Sequence, residues 1–444
     1  MSVTSKDDTN LYSACSSKSL VNVVSGEDNS YSPAIEHITL DNSVLLDVIG
    51  SVTTISPIVK IARFNEVNSM WRYWTKRMLV KTNDLLLEVP MGNKEGIFVQ
   101  GSYMENVEQA LECVKYLMSW IATLKRLSIK FCGPSVNVLN VILDHLIASD
   151  KVNLEVLVVS GRRGGLRVDK LSVLMMKCAE TLKIASTIGI SELEQALSTG
   201  KRFSLEQLSL TNHDLLNESE EMSSMAVDMH DAFVRICSHS QNIQVQDLSV
   251  SVVNGFNPAI DPYNQFLRYS NVRSLHVFLY SGDLLGPDDV TGASILPSVH
   301  SFQTERFQKC FHLPVSLHAL FPSLSHLNVN ALEIPMKGLE QAFAYAAEWL
   351  ALYGDKNLIG VLSTEVHYEY DPLTWEKIRC YIEEIDKCGG KLRLLTSDLF
   401  SRRRMQFVIL NTDSTFQFKI YCSSDAWILA DLLDFELPSL RSVA

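Results

Sequence analysis

Leu124-Lys125-Arg126-Leu127-Ser128-Ile129 is the stretch that decides the fold, because the chain keeps repeating its pattern. It returns as Leu154-x-x-Leu157-x-Val159, Leu205-x-x-Leu208-x-Leu210 and Val245-x-x-Leu248-x-Val250, then as Val272-x-x-Leu275-x-Val277 and Leu324-x-x-Leu327-x-Val329. A strand alternates its side chains, so the last two apolar positions of each phrase share one face. Amphipathic stretches at Val136–Ala148, Lys170–Leu182, Ser191–Leu197, Met222–Cys237 and Pro262–Arg268 lie between phrases and have helical spacing. Each unit is therefore strand then helix. One such unit cannot bury its own apolar face, whereas stacked units share a core.

The phrase starts fall 30, 51, 40, 27 and 52 residues apart, and the two long gaps have room for degenerate units. Leu182-x-Ile184 and Leu296-x-x-Val299 are the candidates within them. Upstream, Glu105–Ala122 reads as a helix, and Met91-Gly92-Asn93 with Gly96 marks a turn between short extended pieces. Downstream of Leu332 the spacing predicts helices over Lys337–Tyr353 and Thr374–Lys387, with Gly389-Gly390 ending the second. Lys391–Leu395 resembles another strand phrase. Gln406–Leu410 and Thr415–Tyr421 flank Asn411-Thr412-Asp413-Ser414 as a hairpin, and Asp425–Phe435 reads as a closing helix.

The amino-terminal region is different. Residues 1–35 are polar and read as a flexible tail. Beyond them, Val44, Leu45, Val48, Ile49 and Val52 share one helical face. Ser56-Pro57 then gives an N-cap and a first-turn proline for a second short helix through Ile58, Ile61 and Ala62. Val67, Met70, Trp71 and Trp74 sit at i, i+3, i+4 and i+7 of a third. The chain thus divides into a tail at 1–35, a helical unit at 36–80 and a linker with a cap helix at 81–123. A repeat array follows at 124–335, and carboxyl-terminal repeats or a cap with a hairpin at 336–444.

Two resemblances follow from these residues. The phrases resemble leucine-rich repeats, which implies an α/β solenoid with a curved parallel sheet. That family continues with Asn or Cys three residues after the third apolar position. Here Cys132 meets the pattern, while Asn212 and Asn330 stand one position early. Leu45-Leu46-x-x-Ile49, Pro57-Ile58-x-x-Ile61 and Val67-x-x-x-Trp71 together resemble an F-box, with Leu40-Asp41 where that family usually has Leu-Pro. The resemblance implies that Leu45, Leu46, Ile49, Pro57, Ile58, Ile61, Val67 and Trp71 contact the Skp-type adaptor of a cullin-RING ubiquitin ligase. An F-box followed by leucine-rich repeats implies a substrate receptor: the repeats capture an unknown protein, and the F-box delivers it to the adaptor and cullin scaffold. The other reading of 41–77 is a helical cap on the first repeat, in a non-catalytic scaffold unrelated to ubiquitin.

Composition narrows the classes. The chain has 444 residues and a net charge of −12, so nucleic acid and anionic membranes are not expected as partners. Arg162-Arg163 and Arg402-Arg403-Arg404 are too short for a basic stripe. No apolar run resembles a signal sequence or spanning helix, so a cytoplasmic or nuclear protein is expected, with its nine cysteines reduced. There is no Cys-x-x-Cys, no His-Glu-x-x-His, no Gly-x-Ser-x-Gly and no phosphate-cradling loop; Gly161-Arg-Arg-Gly164-Gly165 fits neither nucleotide fingerprint. No enzyme, metal or cofactor is expected. The loop at 282–289 and the hairpin tip at 411–414 are candidate partner contacts, because recognition tends to sit on loops carried by a rigid scaffold.

Overall fold

The computed structural model describes residues 83–91, 96–133, 137–161, 169–211, 222–252, 256–279, 292–304, 313–333, 336–366, 372–397 and 404–422. All belong to one compact unit, Ile49–Ala444. The tail, the helical unit at 36–80, the loop at 282–289 and the helix read at 425–435 lie outside the described residues.

The chain enters through three short strands, β1 (Asp84–Val89), β2 (Ile97–Val99) and β3 (Ser102–Met104), then helix α1 (Val107–Trp120). Strands and helices then alternate as β4 (Leu124–Phe131), α2 (Asn137–Ala148), β5 (Val152–Ser160), α3 (Asp169–Lys177), β6 (Ile184–Gly189), α4 (Ile190–Leu197), β7 (Phe203–Thr211), α5 (Met222–Cys237), β8 (Ile243–Val252), α6 (Tyr263–Tyr269) and β9 (Ser274–Leu279). The series continues with β10 (Ser301–Thr304), α7 (Leu313–Leu320), β11 (His326–Glu333), α8 (Leu339–Tyr353), β12 (Asn357–Val366) and α9 (Pro372–Lys387). It finishes with β13 (Lys391–Ser397), β14 (Arg404–Leu410) and β15 (Phe416–Cys422).

All fifteen strands among the described residues form one sheet. From β1 through β4 to β12, and on to β15, every neighbouring pair is parallel. Two antiparallel strands finish each end: β2 and β3 beside β1, β14 and β13 beside β15. This is a strand-helix solenoid.

Its core is a ladder. Leu85, Leu127, Leu157, Ala185, Leu208, Leu248, Leu275, Phe302, Leu327 and Leu358 stand side by side in register across ten strands, and none is more than 1% exposed. From Leu127 onward these positions are 30, 28, 23, 40, 27, 27, 25 and 31 residues apart. Each large side chain buried in such a row is worth about 1.5–3 kcal/mol relative to exposure. The helices cover the same side, with Leu139, Leu143, Leu174, Leu193, Phe233 and Phe266 in the common core.

Polar contacts tie layer to layer where the strands begin. The Lys183 carbonyl accepts from Glu206 N–H (2.8 Å) and Gln207 N–H (3.1 Å); Arg273 and His300 carbonyls accept pairs of amides from the next layer in the same way. On the helix side, Lys151 Nζ donates to Met118 O (2.7 Å) and Lys177 Nζ to Ile147 O (2.8 Å). Each lysine thus places a positive charge at the carboxyl end of a neighbouring helix, α1 for Lys151 and α2 for Lys177, where the helix dipole favours it.

Both long gaps do contain a strand, since Leu182-x-Ile184 leads into β6 and Leu296-x-x-Val299 into β10. One reading is corrected: β13, read as a further repeat phrase, pairs antiparallel with β14 at the sheet's end instead of joining the parallel ladder. The amide of Cys132, at the Asn/Cys position, donates to Val89 O of the preceding layer (2.8 Å).

Candidate protein-interaction surface

The face of the sheet turned away from the helices is built from the residues that alternate with the core ladder. The position between the last two apolar residues of each phrase always points there. Read across the strands it carries Leu86, Ser128, Val158, Ser186, Ser209, Ser249, His276, Gln303, Asn328 and Ile359. From Ser128 to Asn328 every member is half-buried, and the apolar ends, Leu86 and Ile359, are 37% and 40% exposed. Small hydroxyl and carboxamide side chains hold this row close to the backbone. Ser249 Oγ lies 3.5 Å from His276 Nδ1, the two residues facing each other on β8 and β9.

Charge is confined to the borders of this row. At the amino-terminal end Lys130 Nζ meets Glu88 Oε1 at 3.4 Å. Lys125 Nζ donates to Glu155 Oε1 at 2.7 Å, and this bond holds the Glu155 carboxyl below its usual range. Both pairs are solvent-exposed, so they fix side-chain positions more than they stabilise the fold. Beside the row run Asp84, Arg126, Val156, Ile184, Gln207, Asp247 and Ser274 in that order across the strands. The middle of the face, β6 to β11, is close to neutral.

An irregularity interrupts it between β6 and β7. Pairing of β6 with β7 jumps from Ala185–Leu208 to Ile188–Leu210, and within the jump Thr187 has φ +59°. A β-branched residue in the left-handed region is strained, at a cost of about 1–3 kcal/mol. Bulges of this kind re-aim side chains, and here Ser186 and Thr187 bring their hydroxyls within 3.5 Å of each other.

The hairpin tip is anchored, not loose. Asn411, 7% exposed, accepts from Phe416 N–H through Oδ1 (3.0 Å) and donates through Nδ2 to Leu358 O (3.3 Å); Thr415 Oγ1 donates to the same carbonyl (2.8 Å). The tip therefore locks β14–β15 to β12. That makes it a structural joint before it is a recognition loop.

The predicted adaptor-contacting residues, Leu45, Leu46, Ile49, Pro57, Ile58, Ile61, Val67 and Trp71, lie outside the described residues, as do Arg162 and Arg163. Among the described residues no three His, Cys, Asp or Glu side chains converge to hold a metal, and no helix is long and apolar enough to cross a membrane. The half-buried row escaped the sequence reading although its signal was present. The residue between the last two apolar positions is Ser in three of the six quoted phrases and His or Asn in two.

No protein-family model matches the chain, and no curated protein matches it. Among solved structures it is similar to the functional domain of InlJ from Listeria monocytogenes, described as including a cysteine ladder. The identity is 10%, the match covers 79% of this chain and 92% of that one, and the TM-score is 0.20. So slight an overlap carries no weight, and the account of the fold rests on the sheet itself.

Proposed function

We propose that this chain is a leucine-rich-repeat receptor that holds another protein on the open face of its sheet and performs no chemistry itself. The observation that carries the reading is the neutral, close-set row from Ser128 to Asn328, which carries hydrogen-bonding side chains at every position but Val158 on a rigid parallel ladder. Such a row positions a partner along its length. A rigid scaffold also limits the ordering cost of binding.

The helical motif at 41–77 extends the proposal. As an F-box it makes the chain the substrate-recognition subunit of a cullin-RING ubiquitin ligase inside the cell, with Leu45, Leu46, Ile49, Pro57, Ile58, Ile61, Val67 and Trp71 against the Skp-type adaptor. Tethering a captured protein beside the ligase raises the effective concentration of its lysines, which is the receptor's whole contribution. One feature favours this over a cap on the first repeat. The β2–β3 pair already occupies the sheet's amino-terminal edge, so that edge does not require another element to finish it.

The test is co-purification of the full chain with a Skp-type adaptor, repeated after Ile58→Asp and Trp71→Asp. The proposal expects adaptor with the wild type and its loss from both variants. Failure of the wild type to retain any adaptor removes the ligase role and leaves a repeat scaffold.

A further inference from the structure

The first strands of the open face differ from its neutral middle in carrying charge in matched columns. On β1, Asp84 and Glu88 face outward, and level with them on β4 stand Arg126 and Lys130. One strand thus presents two carboxylates and its neighbour two cations, at the same two heights, with Leu86 and Ser128 between. Glu88 and Lys130 meet at 3.4 Å. Asp84 and Arg126 are exposed and, among the described residues, make no ion pair.

Apolar side chains flank these columns. On one side Phe98 of β2 stands opposite Glu88 and Tyr103 of β3 opposite Phe98, with the two ring centroids 5.1 Å apart. Tyr103 is 39% exposed on this face. On the other side Val156 and Val158 of β5 are half-buried. Aromatic and aliphatic groups ringed by ordered charge have the make-up of a protein interface.

The charge pattern is its own complement. A twofold axis parallel to the strands, between β1 and β4, sets β1 of one copy over β4 of another and leaves every height unchanged. Asp84 then meets Arg126 of the second copy, and Arg126 meets that copy's Asp84; Glu88 and Lys130 exchange in the same way. Phe98 and Tyr103 come over the second copy's β5 and β6, which bear Val156, Val158 and Ile184. Reciprocal contacts of this kind define an isologous pair. Sheets packed face to face stand about 10 Å apart, a gap that facing Asp and Arg side chains span.

We propose that this chain forms a symmetric dimer through the outward side of β3, β2, β1, β4, β5 and β6, consecutive strands of the sheet. Six strands spaced ~4.8 Å, each about six residues tall, make a plan of roughly 29 by 20 Å, or about 570 Å². A standard interface buries about 800 Å² per partner, so this one belongs with the small, weak class. The row from Ser209 to Asn328 lies beyond it, which leaves that part of the face to another protein.

Sedimentation velocity of the full chain tests this, at concentrations up to about 100 μM, well above a micromolar dissociation constant. The wild type is expected to reach twice its mass of 49.8 kDa. Asp84→Arg and Arg126→Asp are each expected to weaken association at least about tenfold, because each sets like charges against one another at both contacts. Mixed in equal amounts, the two variants are expected to pair again, since every contact then joins an arginine to an aspartate. A misfolded variant would not recover on mixing. A monomeric wild type, single variants that associate as the wild type does, or a mixture that stays monomeric each overturns the proposal.

Discussion

Replacing Leu248 with alanine tests the shared core at its middle. Leu248 is 1% exposed and stands in register between Leu208 and Leu275, both fully buried. Its neighbours are held on their own hydrogen-bonded strands, so they cannot close over the missing methyls. A Leu→Ala change at such a site costs about 3 kcal/mol, within the usual span of about 2–5. Ser249, one residue on, faces the other way and makes only a 3.5 Å contact with His276. Ser249→Ala should therefore cost under about 0.5 kcal/mol. The assay is urea unfolding followed by circular dichroism, with the midpoint shift converted through the slope. Hydrogen exchange should show β7, β8 and β9 losing protection first, because stability in a stacked array passes between nearest neighbours. A loss below about 1 kcal/mol for Leu248→Ala, or an equal loss for Ser249→Ala, would refute the inward–outward assignment.

Three further outcomes are expected. Gly360→Ala should destabilise by at least about 2 kcal/mol, measured by the same unfolding assay, because Gly360 has φ +136° and an added Cβ would lie 1.7 Å from Val329 O. Thr187→Gly should stabilise by about 1 kcal/mol by relieving the left-handed backbone, seen as a raised Tm. Stability should decline as pH rises above about 9: burial pushes the Cys113 and Cys237 thiols up to about 11 and Cys422 to about 12, so the folded chain keeps protons that the unfolded chain releases. This contribution is complete below pH 9 and disappears through pH 11–12, which a Tm series across alkaline buffers would show.

Much of the ladder could be read from sequence because a leucine at the ladder position, flanked by polar residues and followed by one more apolar residue, fits a strand with one buried face. Ala185 and Phe302 hid their strands by departing from leucine, and β6 is further disguised by its bulge at Thr187. Strand β12 went unread because Ile359 faces outward and Gly360 takes the place that Val329 holds in β11, which breaks the alternation. Helix α7 escaped because Leu313–Leu320 is short and carries Pro314 in its first turn. The antiparallel placement of β13 depends on which strand it meets across the sheet, a long-range fact that its own seven residues do not encode. The outward row went unread for a related reason. Its residues are ordinary serines and amides, and only the register lines them up.

The most direct test of recognition on the open face is crosslinking capture from cells with the full wild-type chain and three variants. Ser209→Arg and Ser249→Arg place a long charged side chain in the middle of the row, while Val234→Arg, at a position 49% exposed on the helix side, serves as the matched control. The account predicts that both serine variants lose the proteins retained by the wild type, with unfolding midpoints unchanged, and that Val234→Arg keeps them. Retention by the serine variants, or loss confined to Val234→Arg, would contradict it.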